Sequence, residues 1–167
     1  IINNNLASAG SGISAIVESN LSLTNTIISN NVATVSVGGG IALDNSNATI
    51  NGSQVSFNTT ASLGGISVYD SALDINDSNI INNTAYEGAA LHITNSLVNI
   101  DNTLIADNVG TNGANSFGAI VNGSNVILNI NKVTFANNVR SAILNTGTTG
   151  TNITIQNSIF WNPDAEE

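Results

Sequence analysis

Ser71-Ala72-Leu73-Asp74-Ile75-Asn76-Asp77-Ser78-Asn79-Ile80-Ile81-Asn82-Asn83 decides how this chain folds. Apolar Leu73 and Ile75 alternate with polar Asp74 and Asn76, the period of a strand with one face buried. The strand is bracketed by two hydroxyls, Ser71 and Ser78. A second apolar position follows at Ile80, and three residues later stands Asn83. Asn, Asp and Ser bond to nearby backbone and tolerate left-handed conformations, so the polar positions here read as corners.

The same pattern recurs along the whole chain. Taking the Ser or Thr at 19, 46, 71, 96, 124 and 151 as anchor, the spacings are 27, 25, 25, 28 and 27 residues. Two after the anchor stand Leu21, Ala48, Leu73, Val98, Val126 and Ile153. Four after stand Leu23, Ile50, Ile75, Ile100, Leu128 and Ile155, and nine after stand Ile28, Val55, Ile80, Ile105, Val133 and Phe160. No polar residue enters these columns. The outward positions between them are polar: Ser22, Thr49, Asp74, Asn99 and Thr154, interrupted by Ile127, then Thr24, Asn51, Asn76, Asp101, Asn129 and Gln156. A further alternating stretch precedes each anchor: Ile41 and Leu43, Ile66 and Val68, Leu91 and Ile93, Ala119 and Val121. Three strands per coil of about 26 residues predict an all-β, right-handed, single-stranded parallel β-helix: a three-faced solenoid of about six coils. Stacked coils turn columns into ladders. A hydroxyl ladder is expected at Thr26, Ser53, Ser78, Thr103 and Ser158, with Asn131 in place of a hydroxyl, and an amide ladder at Asn31, Asn58, Asn83 and Asn108.

Composition agrees and excludes several functions. The 167 residues include 31 Asn, 15 Gly, one Pro and no Cys, and 41% are hydrophobic but only 4% aromatic. The core is therefore aliphatic, with no disulfide and no Cys-based metal site. Charged residues make up 8%, the net charge is -9, and Lys132 and Arg140 are the only Lys or Arg. Such a surface cannot neutralise phosphates, so neither nucleic acid nor an anionic membrane is an expected partner. No apolar run approaches the ~20 residues of a membrane-spanning helix. Residues 1–163 are expected to form the β-helix and 164–167 an acidic tail. Insertions are expected between Val109 and Phe117, and a loop at Thr146 to Gly150. The absence of an initial Met suggests a piece of a longer chain.

Two motifs recur together. One is a Gly-rich entry to a strand: Gly38-Gly39-Gly40-Ile41, Gly64-Gly65-Ile66, Gly88-Ala89-Ala90-Leu91 and Phe117-Gly118-Ala119-Ile120. The other is an apolar residue three before Asn: Ile2 to Asn5, Ile28 to Asn31, Ile80 to Asn83, Ile105 to Asn108 and Phe135 to Asn138. Together they resemble the GGA(I/L/V) and FxxN repeats of polymorphic outer-membrane proteins, and more broadly the β-helix repeats of secreted adhesins. The resemblance implies an extracellular or cell-surface passenger region engaged in adhesion or display.

Catalysis is tested against these residues. A polysaccharide lyase would need Arg140 or Lys132 as base beside calcium-holding carboxylates, and no acidic cluster precedes either. A glycosidase needs carboxylates at fixed separation; the best cluster is Asp70, Asp74 and Asp77, with Asp101 one coil above Asn76. These residues read as a solvated face, with a weak calcium site the functional alternative. His92, the only histidine, lies between inward Leu91 and Ile93 and should point outward. Ser and Thr lack an activating base, and no regular Thr-x-Thr column suggests ice binding. Sequons stand at Asn20, Asn47, Asn51, Asn58, Asn76, Asn82, Asn122 and Asn152, close to the number that so Asn-rich a chain produces by chance. The expectation is no catalytic, cofactor or metal site, and a non-catalytic surface module that is structural or adhesive. A second reading is a filament: Ile2 and Phe160 share a phase, so copies would stack end to end. A third is a carbohydrate-binding or carbohydrate-active β-helix.

Overall fold

A computed structural model describes residues 1–111 and 118–163. It is a parallel β-solenoid of about six coils, without helix among the described residues. Within a coil the chain visits four sheets in turn. The first holds seven strands, from Ile2–Asn3 to Ile159–Trp161; the second holds five two-residue strands, from Leu6–Ala7 to Val109–Gly110. The third runs from Ile13–Ile16 to Ile143–Asn145 and the fourth from Asn20–Thr24 to Asn152–Gln156, six strands each. The expected three faces are the first, third and fourth sheets. The short second ladder follows each corner Asn and was not foreseen, because two residues carry no readable alternation.

Inward columns fill the interior. Ile50, Ile75 and Ile100 pair in register and are 0–1% exposed, as are Ile28, Val55, Ile80 and Ile105. Each such side chain contributes roughly 1.5–3 kcal/mol of burial, and like residues stack directly above one another. The fifth coil departs from the expected columns. Ile100 pairs with Ile130, and Val98 with Leu128, so Leu128 sits one column earlier than expected. Phe135, not Val133, continues the Ile105 column, and it stacks on Phe160 with ring centroids 4.8 Å apart. The slip is two residues, which preserves the inward face. Coil spacings read from paired residues are therefore 27, 25, 25, 30 and 25 between Leu21, Ala48, Leu73, Val98, Leu128 and Ile153. The long coil holds the insertion expected between Val109 and Phe117; Val109–Gly110 is a strand, and residues 112–117 lie outside the described residues.

Other expectations shift with that register. Asn129 takes the outward place given to Ile127, and Asn131 that given to Asn129. Ile120, not Ala119, continues the Ile66 and Leu91 column, and Asn122, not Val121, continues Val68 and Ile93. The last coil keeps its strand at Ile143–Asn145, and the loop through Thr146–Gly150 follows it rather than replacing it. The expected acidic tail, 164–167, lies outside the described residues.

Corners are held by ladders. The amide ladder is longer than expected: Asn5, Asn31, Asn58, Asn83, Asn108, Asn138 and Asn162. Each Oδ1 accepts from the backbone N–H and the Nδ2 of the Asn one coil below, at 2.8–3.1 Å from Asn31 to Asn138. Nδ2 also donates back to the carbonyl of the apolar residue three before the previous Asn: Asn58 to Ile28, Asn83 to Val55, Asn108 to Ile80 and Asn138 to Ile105. That contact explains why an apolar residue and an Asn recur at this spacing. The Gly-rich motif leans on the same ladder: a Cβ at Gly40 would lie 2.9 Å from Asn58 Nδ2, and one at Gly65 would lie 3.0 Å from Asn83 Cβ.

Hydroxyl ladders hold the two other corners. Ser46, Ser71 and Ser96 each accept the amide N–H of the residue below, at 3.0–3.2 Å, and Ser53, Ser78 and Thr103 do so at 3.0–3.4 Å. In the fifth coil both rungs are valines, Val126 and Val133, where Ser124 and Asn131 were expected. Left-handed residues mark every corner: Asn25, Asp77, Asn102, Lys132 and Asn157 on one, and Asn45, Asp70, Asn95 and Asn125 on another.

Candidate functional site

The carboxylate cluster is dispersed by the solenoid. Asp70 and Asp77 occupy corners at opposite ends of the strand Ala72–Asn76, with φ of 47° and 50°. Six residues, five of them in the strand, separate the two by about 20 Å. Asp74 lies outward at mid-strand, where its Oδ1 accepts from Asn99 Nδ2 at 2.7 Å; Asn99 in turn accepts from Asn129 at 2.9 Å. Asp77 accepts from Asn102 Nδ2 at 2.6 Å, and Asp101 from Asn131. Each of these three carboxylates terminates an amide row one coil above it. Among the described residues, no group of three His, Cys, Asp or Glu could hold a metal ion. Open furrows follow the corners, one beside Glu18 and Asp70, the other beside Asp77 and Lys132.

A different surface has the geometry of a binding site. It is a groove of about 410 Å³ on the outer side of the third sheet. Its floor is the outward column Ser14, Ala42, Ser67 and His92, paired rung by rung. One wall is Ile16, Asp44, Tyr69 and Thr94, from the next outward positions of the same strands. The other wall is Ala9, Val37 and Leu63, apolar residues of the loops that lead into these strands. Small floor residues leave the trough open, and the larger imidazole of His92 stands at one end. Beyond it the column continues with Val121, which is buried.

His92 points away from the core as expected, yet the groove encloses it. Burial disfavours the imidazolium and lowers its pKa from 6.5 to about 4, so the ring is neutral at pH 7. Ser67 is 5% exposed, and its hydroxyl has no hydrogen-bond partner in the protein. The side chains of His92, Tyr69 and Thr94 also make no internal hydrogen bond. The loop wall was not readable in the periodicity. The available signal was the outward column itself, where Ser, Ala and Ser precede a lone His.

Six of the eight sequon asparagines are exposed or half-buried, whereas Asn58 and Asn122 are fully buried. Asn122 Oδ1 and Asn162 Nδ2 are buried without a partner. Comparison with protein-family models, curated proteins and solved structures found no match. Fold and site together define a parallel β-solenoid with a lateral groove.

Proposed function

We propose that this chain is a non-catalytic module of an extracellular or cell-surface protein, a β-helical element for adhesion or display. One observation carries the reading: of the candidate carboxylates Asp70, Asp74, Asp77 and Asp101, the last three are each engaged as ladder acceptors, and Asp70 sits at the opposite end of the strand from Asp77. General acid–base chemistry needs a group poised beside the reacting bond, and the three engaged carboxylates serve neighbouring amides instead. The paired Gly-rich and apolar-x-x-Asn motifs support the surface reading through their resemblance to outer-membrane and adhesin repeats. Incubation with neutral and acidic polysaccharides, with and without Ca²⁺, should release no reducing ends or unsaturated products; turnover lost in Asp74→Asn or Asp77→Asn would contradict it. Mild proteolysis of intact producing cells should remove the protein, whereas full protection would contradict surface display.

End-to-end stacking of copies is a second reading, favoured by the shared phase of Ile2–Asn3 and Ile159–Trp161, which belong to one seven-stranded sheet. The joint has a steric condition. The first sheet has seven strands and the third and fourth have six. A copy set flush on the third and fourth sheets would bring its Ile2–Asn3 strand onto the rung of Ile159–Trp161. One of the two strands must give way. Removing residues 159–167 should therefore increase association in sedimentation; unchanged monomers would contradict this reading.

A further inference from the structure

The lateral groove shelters polar side chains that the protein itself does not use, and we infer that it binds a small, uncharged, largely apolar molecule bearing a hydroxyl or amide. Its volume, about 410 Å³, lies in the range of small-molecule sites. Leu63 and Val37 on one side and Ile16 and the Tyr69 ring on the other present an apolar slot. Such a slot binds by removing apolar surface from water, and a few convergent polar groups then fix orientation.

Ser67 supplies the observation that points to a ligand. Elsewhere in this chain buried corner hydroxyls are engaged: Ser71 donates to the Tyr69 carbonyl, Ser78 to that of Asn76, and Ser96 to that of Thr94. The Ser67 hydroxyl, on the groove floor, has no such partner. That hydroxyl faces the groove with hydrogen-bonding capacity the protein leaves unused, and a ligand hydroxyl or amide would occupy it. The neutral His92 ring one rung above offers one donor and one acceptor to the same ligand group.

Charge selects the ligand class. No Lys or Arg lines the groove, Asp44 stands on its rim, and the chain carries a net charge of -9. Anions are disfavoured by this field. A long extended polymer is disfavoured by geometry, since the lined floor spans only four rungs, from Ser14 to His92.

The single histidine makes the test direct. His92 ring resonances of the intact chain would be followed by NMR at pH 7 while benzyl alcohol is added, with benzoate as the anionic counterpart. Saturable shifts are expected with benzyl alcohol, at a Kd on the order of millimolar for so small a probe, and at least tenfold weaker ones with benzoate. Ser67→Leu should abolish the benzyl alcohol response by filling the trough. If that variant fails to fold, Ala42→Ile, on the same floor, should do the same. Absence of saturable shifts, equal response to benzoate, or binding that survives both filled variants would each overturn the inference.

Discussion

Two sets of sheltered polar side chains divide this molecule, the corner asparagines and the groove residues. Asn58, Asn83 and Asn108 are fully buried, and every one of their amide groups is engaged by the coils above and below. Ser67 and His92 are sheltered by a wall of loops, and their side chains have no partner within the protein. Low dielectric strengthens a satisfied network and penalises an unsatisfied group. The first set therefore stabilises the rod. The second is what the rod leaves available.

The comparison breaks most visibly at the amide ladder. Asn83→Ala would take the side-chain partner from the Asn58 N–H and the Val55 carbonyl, and remove one of two bonds from Asn58 Nδ2 and from Asn108 Oδ1. A loss of roughly 3–5 kcal/mol in urea unfolding is expected, from several buried groups each losing a bond; a loss below about 1 kcal/mol would show the ladder to be incidental.

His92 gives the next effect through pH. Its folded pKa, about 4, lies below the ordinary 6.5, so the unfolded chain binds a proton more readily. Its contribution is neutral above pH 6.5, grows unfavourable as pH falls toward 4, and is constant below that. The full difference is on the order of 3 kcal/mol. Comparing the wild type with His92→Asn between pH 7 and 5, above most carboxylate titration, isolates this slope. Identical slopes in the two proteins would mean that the imidazole is solvated.

A gain of stability sharpens the comparison from the other side. Val133 replaces the hydroxyl above Thr103, so the Thr103 amide has no hydroxyl acceptor there, unlike Thr26, Ser53 and Ser78. Val133→Thr should restore the rung and raise stability by about 1 kcal/mol, read as a shift in urea midpoint at constant slope. The smallest effect belongs to the groove: Ser67→Ala should change stability by less than about 0.5 kcal/mol, because no internal bond is lost.

Much of this was legible in sequence because coils are built from columns. Leu73, Ile75, Ile80 and Asn83 repeat in both neighbouring coils at a spacing of 25 residues, and the paired strands keep that register. The fifth coil departs from the sequence pattern for a physical reason. A hydroxyl marks the corner before this strand in the preceding coils, and Ser124 stands near that phase, whereas the buried corner of the fifth coil accepts Val126. Two residues of slip keep the same face inward, so alternation alone could not reveal it. The dispersal of Asp70, Asp74 and Asp77 follows from the same strand geometry. The groove was less legible, since Ala9, Val37 and Leu63 come from loops whose path periodicity does not describe.

Side-chain hydrogen exchange of the ladder carboxamides tests the central claim most directly. In amide-resolved NMR at pH 7, the Nδ2 protons of Asn58, Asn83 and Asn108 should exchange at least ~10³ times more slowly than free carboxamides, since exposing them requires opening the stacked coils. The exposed Asn20 and Asn152 should exchange near the free rate. Free-rate exchange at Asn83 and its two neighbours would contradict the account, because the corner would then be open to water and the ladder could not hold the coils in register.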